Sequence, residues 1–177
     1  MNIVKSADGY GEAEFSDCGT YRYALRRRNP IPIRWVRPIL FIMLNPSTAD
    51  AEKNDPTIRR CIYFAGRLGG SELTVVNLFA LRSTDPKKLL THPEPIGPLN
   101  DEAIKREMDK ASVIVLAWGA NKAAKKRGME LLESIDHQTM FRVQCLGTNR
   151  DGSPRHPLYV KKVQPLLSGD LCGISKD

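Results

Sequence analysis

The sequence of 177 residues lacks the short motifs that mark several enzyme classes. It has no glycine-rich phosphate loop, no G-x-S-x-G nucleophile elbow and no H-E-x-x-H metal motif. The four cysteines are widely spaced and include no C-x-x-C pair, which argues against a zinc or iron–sulfur centre and predicts free thiols. We therefore expect no metal and no cofactor, and chemistry by a positioned water rather than by an activated nucleophile.

Long apolar segments are also missing. No apolar run approaches the length that spans a membrane, and the first residues are not organised as a signal peptide. These absences predict a cytoplasmic protein without membrane contact. The hydrophobic fraction of 41% and the charged fraction of 27% are ordinary for a globular protein, and the length predicts a single domain over residues 1–177.

Acidic residues are absent from one basic stretch. Six arginines and no acid lie between Tyr21 and Pro38, and the whole chain carries a formal charge of +7. Clustered positive charge suits a partner that carries phosphates, although a solvated basic face without a partner is the alternative. DNA is the predicted partner. The residues expected to contact its backbone lie in this stretch and in two later basic clusters: Arg26, Arg27, Arg28, Lys122, Arg150 and Arg155.

Uninterrupted apolar runs dominate the pattern of secondary structure. Residues 39–44 are six apolar residues without alternation, which is typical of a strand buried on both faces. The other predicted elements alternate along the chain: strands at 73–76, 112–117 and 141–146, and helices at 55–68, 99–109 and 121–134. This alternation predicts an α/β fold, a three-layer αβα sandwich around a central four-stranded, mainly parallel sheet.

The first part of the chain has a weaker pattern. Residues 1–20 are polar and contain glycines, so we expect them to be loosely ordered. Residues 21–38 alternate only in part and contain a turn signal at Asn29 and Pro30. We expect this basic segment to form an amino-terminal arm or an edge hairpin.

Polar or aromatic residues follow each of the four predicted core strands. Asn45 and Asn77 follow the first two, Trp118 follows the third, and the loop after the fourth carries His156. The carboxyl ends of parallel strands lie together, and open α/β sheets bind ligands there. Asparagine is also common in turns and tryptophan in cores, so each residue has an ordinary structural explanation. A buried amide such as Asn77 nevertheless needs hydrogen-bond partners, and the edge of a nucleobase is one.

The immediate neighbours of two residues favour opposite interpretations. Asp55 precedes Pro56 at the start of a helix, so we interpret it as a helix cap rather than as a metal ligand. His156 lies between Pro154 and Pro157 among basic residues. The prolines hold its backbone extended, and this setting favours a functional role over a structural one.

Five segments of the sequence resemble a bacterial and phage family that is catalogued as domain of unknown function 1643. The resemblance covers about residues 20–165, and the segments are LNPSTAD at 44–50, NDPTIRRC at 54–61, VVNLFALRSTDP at 75–86, WGAN at 118–121 and GSPRHPLY at 152–159. The family name itself implies no function. More distantly, the order of an N-P pair, a V-V-N-L segment, an L-A-W-G-A-N segment and an H-P-L loop is similar to the uracil-DNA glycosylase superfamily.

The more distant likeness implies a uracil-DNA glycosylase-like fold and hydrolysis of the N-glycosidic bond of an extruded base in DNA. It implies that Asn45 holds the attacking water, that Asn77 reads the base and that His156 hydrogen-bonds the departing base. Leu158 would lie in the loop that enters the minor groove. The other residues expected to bind the substrate are Pro46, Ser47, Thr48, Phe79, Arg82, Trp118 and Tyr159. Ser47 and Thr48 replace the residue that screens pyrimidine size in the superfamily, so a modified base is also a candidate substrate.

Two other classes of function stay open from the sequence. A non-catalytic nucleic-acid-binding module predicts salt-sensitive DNA binding without an abasic product. A hydrolase of free nucleosides or nucleotides predicts turnover without DNA. It also predicts little loss of activity when Arg26, Arg27 and Arg28 are neutralised.

Overall fold

The uninterrupted apolar runs of the sequence form the buried strands of a mixed sheet. The computed structural model describes residues 1–30 and 35–168. Within them the strands are β1 (Asn2–Lys5), β2 (Gly11–Phe15), β3 (Arg22–Arg28), β4 (Pro38–Met43), β5 (Glu72–Asn77), β6 (Val113–Leu116), β7 (Val143–Cys145) and β8 (Leu167–Ser168). The four predicted core strands are confirmed as β4 to β7, each within a few residues of its expected bounds.

Helix α1 begins where the sequence signal for a helix start is strongest. Asp55 caps it by accepting a hydrogen bond of 2.8 Å from the backbone N–H of Ile58, and Pro56 occupies the first helical position. The helices are α1 (Pro56–Arg67), α2 (Lys88–Thr91), α3 (Asn100–Lys110), α4 (Lys122–Ser134) and α5 (His137–Met140), and a single 3₁₀ turn spans Pro157–Tyr159. Helices α1, α3 and α4 were predicted, whereas the one-turn helices α2 and α5 were not.

The strand order in the sheet is β1-β2-β3-β5-β4-β6-β7-β8. The three pairings among β5, β4, β6 and β7 are parallel. The four pairings that involve β1, β2, β3 and β8 are antiparallel and form the majority. The expected four-stranded, mainly parallel sheet is therefore wrong in its extent, because the chain before β4 and after β7 adds antiparallel strands at both sides of the parallel ones.

The amino-terminal residues are part of this extension. Residues 1–20 contain β1 and β2 and are not loosely ordered. Residues 22–28 form β3, which pairs with β2 on one side and with β5 on the other, so this segment is neither an arm nor an edge hairpin. The predicted turn lies partly outside the described residues. All four residues of β1 are exposed, and this explains why no apolar pattern indicated the strand.

Helices cover both faces of the sheet, as the α/β interpretation requires. Along β4, Ile39, Phe41 and Met43 pack on the face that is covered by α1. Leu40 and Ile42 pack on the opposite face, against residues of α3 and α4. Because α1 follows the loop after β4, its amino end lies at the carboxyl edge of the parallel strands, beside the residues that follow them.

Metal ligands and membrane-spanning helices were not expected from the sequence. The described residues contain no group of three or more histidine, cysteine or acidic side chains placed to hold a metal ion. None of the described helices has the length and apolarity needed to cross a membrane. Cys18 and Cys61 are free thiols, whereas Cys145 is disulfide-bonded, so the expectation of free thiols is wrong for Cys145.

Candidate functional site

A cavity of about 530 Å³ opens at the carboxyl edge of the parallel strands. Volumes of this size are typical of sites that enclose small molecules or single nucleotides. Strands β4, β5 and β6 and the loop after β7 all deliver residues to it, and the amino end of α1 forms one wall. The polar and aromatic side chains in its lining include Arg22, Asn45, Ser47, Asp55, Asn77, Trp118, Asn149, His156 and Tyr159.

Asn45 is held in one orientation by the backbone. Its side-chain Nδ2 donates to the carbonyl oxygen of Pro46 at 3.0 Å and to that of Ser83 at 2.8 Å. Both amide hydrogens are therefore occupied, and the carbonyl oxygen Oδ1 is left as an acceptor for a further partner. An amide oxygen can orient a water molecule, but it cannot remove a proton from it at neutral pH.

Asn77 ends β5 as a buried amide. Its side chain is 1% exposed, and its Nδ2 has no hydrogen-bond partner. The backbone carbonyl of the same residue accepts a hydrogen bond of 3.0 Å from Asn100 on α3, which fixes the end of the strand. Buried polar groups without a partner are rare, and this one belongs to a residue that lines the cavity.

His156 lines the cavity from the loop after β7. Its Nδ1 accepts a hydrogen bond of 3.3 Å from the backbone N–H of Leu158, so the neutral ring carries its proton on Nε2 as a donor. Burial lowers the pKa of His156, while the negative charge of Asp55 opposes this shift. The following 3₁₀ turn is tied to α1, because Arg60 donates to the carbonyl oxygens of Pro157 and Val160.

Asp55 is both the cap of α1 and part of the cavity lining. The cap uses its Oδ1, since that oxygen accepts the hydrogen bond from Ile58. A carboxylate has a second oxygen with free lone pairs. Asp55 is the one acidic residue that lines the cavity within the described part of the chain. The sequence predicted its capping role correctly, but nothing local to the residue indicated that the cap faces a cavity.

Arg22 was not predicted as a site residue. It is 2% exposed, its Nη1 donates to the carbonyl oxygen of Ala49 at 2.8 Å, and its Nε has no partner. Burial lowers the pKa of Arg22 to about 10, against the opposing effect of Asp55. In the sequence Arg22 is the first of six clustered arginines, and no local pattern distinguishes it from the others.

A scan against protein-family models matches residues 22–158 to a family described as a protein of unknown function, DUF1643. The chain belongs to the DUF1643 family. This membership confirms the resemblance seen in the sequence motifs. No curated protein and no solved structure matches the chain, so the likeness to uracil-DNA glycosylases stays a prediction.

The cavity of this DUF1643 protein brings together most of the residues predicted as catalytic or substrate-binding. Those in its lining are Asn45, Ser47, Asn77, Trp118, His156, Leu158 and Tyr159. Pro46, Thr48, Phe79 and Arg82 are not among the lining residues. Phe79 packs in the core on the α3 side of the sheet, because the chain after β5 turns that side chain inward. Arg82 is exposed and covers the ring of Phe15, and with Thr48 it lines a separate shallow groove.

Trp118 packs into the core but still reaches the cavity. Its side chain is 5% exposed, and Gly128 of α4 lies against the indole ring. A Cβ at position 128 would lie 3.0 Å from Cζ2 of Trp118, which is tighter than ordinary packing, so a larger residue there would displace the ring or the helix. Trp118 is therefore a rigid wall of the cavity, with both packing and lining roles.

The basic residues divide into two groups by position. Strand β3 runs antiparallel to β5, so Arg28 lies beside Glu72 at the amino edge of the parallel strands, away from the cavity. Arg26 forms ion pairs with Glu12, Glu14 and Glu107. The guanidinium group of Arg27 donates to Asn54 and to the backbone of Asp50. None of these three arginines lines the cavity, so their predicted contact with the DNA backbone stays a prediction about a surface away from it.

The other three predicted basic contacts lie near the cavity. Lys122, Arg150 and Arg155 are exposed, and each directly adjoins a lining residue in sequence: Asn121, Asn149 and His156 respectively. Leu158 is 40% exposed and Tyr159 84% exposed at the same opening. The mouth of the cavity thus combines positive charge with exposed apolar side chains.

Proposed function

We propose that this DUF1643 protein hydrolyses the N-glycosidic bond of an extruded base in nucleic acid. The observation that carries the proposal is the convergence of Asn45, Asn77 and His156 on one cavity at the carboxyl edge of the sheet. The glycosylase likeness assigns these residues to the water, the base and the departing base. They come from three separate parts of the chain, the loop after β4, the end of β5 and the loop after β7, yet they line the same cavity. The parallel strands β5, β4, β6 and β7, with helices on both faces, support a uracil-DNA glycosylase-like interpretation of the core.

In the proposed reaction a water oxygen attacks the anomeric carbon while the bond from that carbon to the base nitrogen breaks. The electron pair of the broken bond leaves with the base. Oδ1 of Asn45 orients the water, and the carboxylate of Asp55 accepts its proton, which the base finally receives. This assignment gives the reaction a base that Asn45 cannot supply, because an amide is not basic.

His156 and Asn77 act on the base in this scheme. The N–H at Nε2 of His156 donates to the departing base as negative charge develops on it, and one such preorganised donor contributes about 3 kcal/mol to transition-state stabilisation. The unpartnered Nδ2 of Asn77 donates to an acceptor on the base edge, which selects bases with a carbonyl at that position.

The mouth of the cavity supports nucleic acid as the carrier of the base. Lys122, Arg150 and Arg155 offer positive charge for phosphates, and exposed Tyr159 and Leu158 offer apolar surface to the bases that remain stacked. Extruding a nucleotide costs stacking energy, and an apolar side chain that fills the gap reduces that cost.

The test incubates the purified protein with DNA that carries uracil, hypoxanthine or a modified cytosine, and measures alkali-labile abasic sites. We expect product on at least one of these substrates, and its loss in Asn77→Ala and His156→Ala. His137→Ala is the matched control, because His137 lies on α5 and is not part of the cavity lining. Base release that is unchanged in both site variants would refute the proposal, as would salt-sensitive DNA binding without any abasic product.

A further inference from the structure

We infer that the cavity binds a negatively charged group and that the buried guanidinium of Arg22 is the residue that receives it. This goes beyond the proposed function, because it concerns the charge of the ligand and holds whether or not a glycosidic bond is broken. The inference rests on a comparison of the charged partners around two arginines of the same strand, Arg22 and Arg26, which are four positions apart.

Arg26 shows how this fold neutralises a buried arginine. Its guanidinium contacts Glu12 at 2.7 Å and Glu107 at 2.6 Å, and a third carboxylate, Glu14, lies at 3.4 Å. The side chains of Glu14 and Glu107 are nearly inaccessible, so the whole group is satisfied internally. No ligand is needed to explain why its charge is stable there.

Arg22 is buried more deeply and has no such partners. Among the described residues no carboxylate forms an ion pair with it, and its side chain donates one hydrogen bond there, from Nη1 to the Ala49 carbonyl. Its Nε–H is buried without an acceptor. An arginine has five N–H donors, and a buried charge without a carboxylate partner is costly unless another partner arrives.

The other charged groups around Arg22 do not supply that partner. Asp55 and Asp50 exert an attractive electrostatic effect on it, while Arg82 and Arg27 exert a repulsive one. The Asp50 carboxylate accepts the backbone N–H groups of Glu52 and Lys53. Asp55 caps α1 through Oδ1. Neither carboxylate forms an ion pair with Arg22 within the described residues, and Arg22 lines the cavity.

A second unpartnered donor lines the same cavity. Nδ2 of Asn77 is buried without an acceptor, so two residues that line the cavity, on the adjacent strands β3 and β5, each carry an unused N–H group. The amino end of α1, with Thr57 in the lining, adds the positive end of a helix of 12 residues. A ligand that satisfies these groups carries negative charge shared over at least two acceptor atoms.

Two sources could provide this chemistry. One is the anion of a departing base, whose charge is spread over a planar ring edge that matches the fork of a guanidinium group. The other is the phosphate of a nucleotide. The shared feature is an anion with two or more acceptors, and binding measurements with matched charged and neutral probes separate the two sources.

Isothermal titration calorimetry of the full chain tests the inference. The probes are barbiturate against uracil, which compare a planar anion with a neutral ring, and a nucleoside 5′-monophosphate against its nucleoside, with inorganic phosphate as competitor. We expect the anionic member of at least one pair to bind roughly tenfold or more tightly. If barbiturate binds more tightly than uracil, the natural anion is that of a departing base. If the nucleoside monophosphate binds more tightly than the nucleoside, and inorganic phosphate removes this difference, the natural anion is a phosphate.

Three variants assign the preference to Arg22. Arg22→Gln should abolish the preference for the anionic probe. Arg22→Lys keeps the charge but not the planar fork of the guanidinium group, so it should retain part of that preference. Arg28→Gln removes the same charge at the far end of the same strand and should leave it intact. The inference is overturned if Arg22→Gln keeps the preference for the anionic probe. It is also overturned if the wild-type protein binds neutral and anionic probes equally, and this second result does not depend on whether any variant folds. Because no turnover is measured, failure of the glycosylase proposal would not affect this outcome.

Discussion

Gly119 controls the position of His156, and its replacement by alanine is expected to damage the candidate site specifically. Gly119 has a φ of +80°, and a Cβ at this residue would lie 3.2 Å from the Cβ of His156. A positive φ costs an alanine about 1–2 kcal/mol. The contact of 3.2 Å is tighter than ordinary packing, so the loop that carries His156 must move by a few tenths of an ångström.

Gly152 provides a matched control in the same region of the chain. It also has a φ of +80°, but a Cβ there would meet no atom within 4 Å. Gly152→Ala therefore carries the same backbone cost of about 1–2 kcal/mol in the free energy of unfolding without any contact with His156. Urea denaturation should show a loss of this size for Gly152→Ala and a larger loss for Gly119→Ala.

The specific readout is the titration of His156 by NMR, in a chain with only three histidines. Burial lowers the pKa of His156 in the native protein. Displacement toward solvent in Gly119→Ala should raise that pKa toward its ordinary value, and base release should fall, whereas Gly152→Ala should leave both unchanged. If the two variants shift the His156 titration equally, or neither shifts it, the proposed contact does not position the histidine.

Three other predictions follow from the same contacts. Asp55→Ala should lower the unfolding free energy by about 1 kcal/mol through loss of the α1 cap, and it should abolish base release. Asp55→Asn should keep the cap but also lose base release. An active Asp55→Asn variant would exclude the Asp55 carboxylate as the base of the reaction. Arg26→Met should lower the free energy of unfolding measured by urea denaturation by about 3 kcal/mol, because it leaves Glu14 and Glu107 with fewer partners. Base release should be unaffected. An unchanged free energy of unfolding would show that these ion pairs are dispensable. The lowered pKa of His156 means that the unfolded chain takes up this proton first as pH falls, so its contribution to the unfolding free energy is complete above pH 6.5 and is lost progressively below it. The acid-side slope should therefore decrease in His156→Gln, and an unchanged slope would contradict a lowered pKa of the half-buried His156.

Much of the secondary structure was predictable because its signals are local. The apolar run of β4 and the pair Asp55 and Pro56 each indicate an element from a few neighbouring residues. Local signals failed for β1, whose residues are all exposed, and for β8, which has only two residues. A strand that is very short or fully exposed is held by its pairing with other strands. Such a strand leaves no periodic apolar pattern in the sequence.

The candidate site was predictable to the same degree. Asn45 and Asn77 follow buried strands that are recognisable from the sequence, and parallel strands bring their carboxyl ends together, so their convergence could be expected before the fold was known. Phe79 was assigned to the site wrongly, because the sequence does not indicate to which face the chain turns after β5.

The arginines of β3 show what only the tertiary structure decided. Arg22 and Arg26 are four residues apart in one basic cluster, and nothing in the sequence separates their roles. Glu12 and Glu14 from β2 and Glu107 from α3 neutralise Arg26, while Arg22 is buried at the cavity with an unused donor. The sequence determined that these charges exist and that β4 and β5 end in amides. Which charge is paired with a carboxylate and which is not depends on acidic residues that folding brings from distant positions, because electrostatic interactions follow distance in space and not separation along the chain.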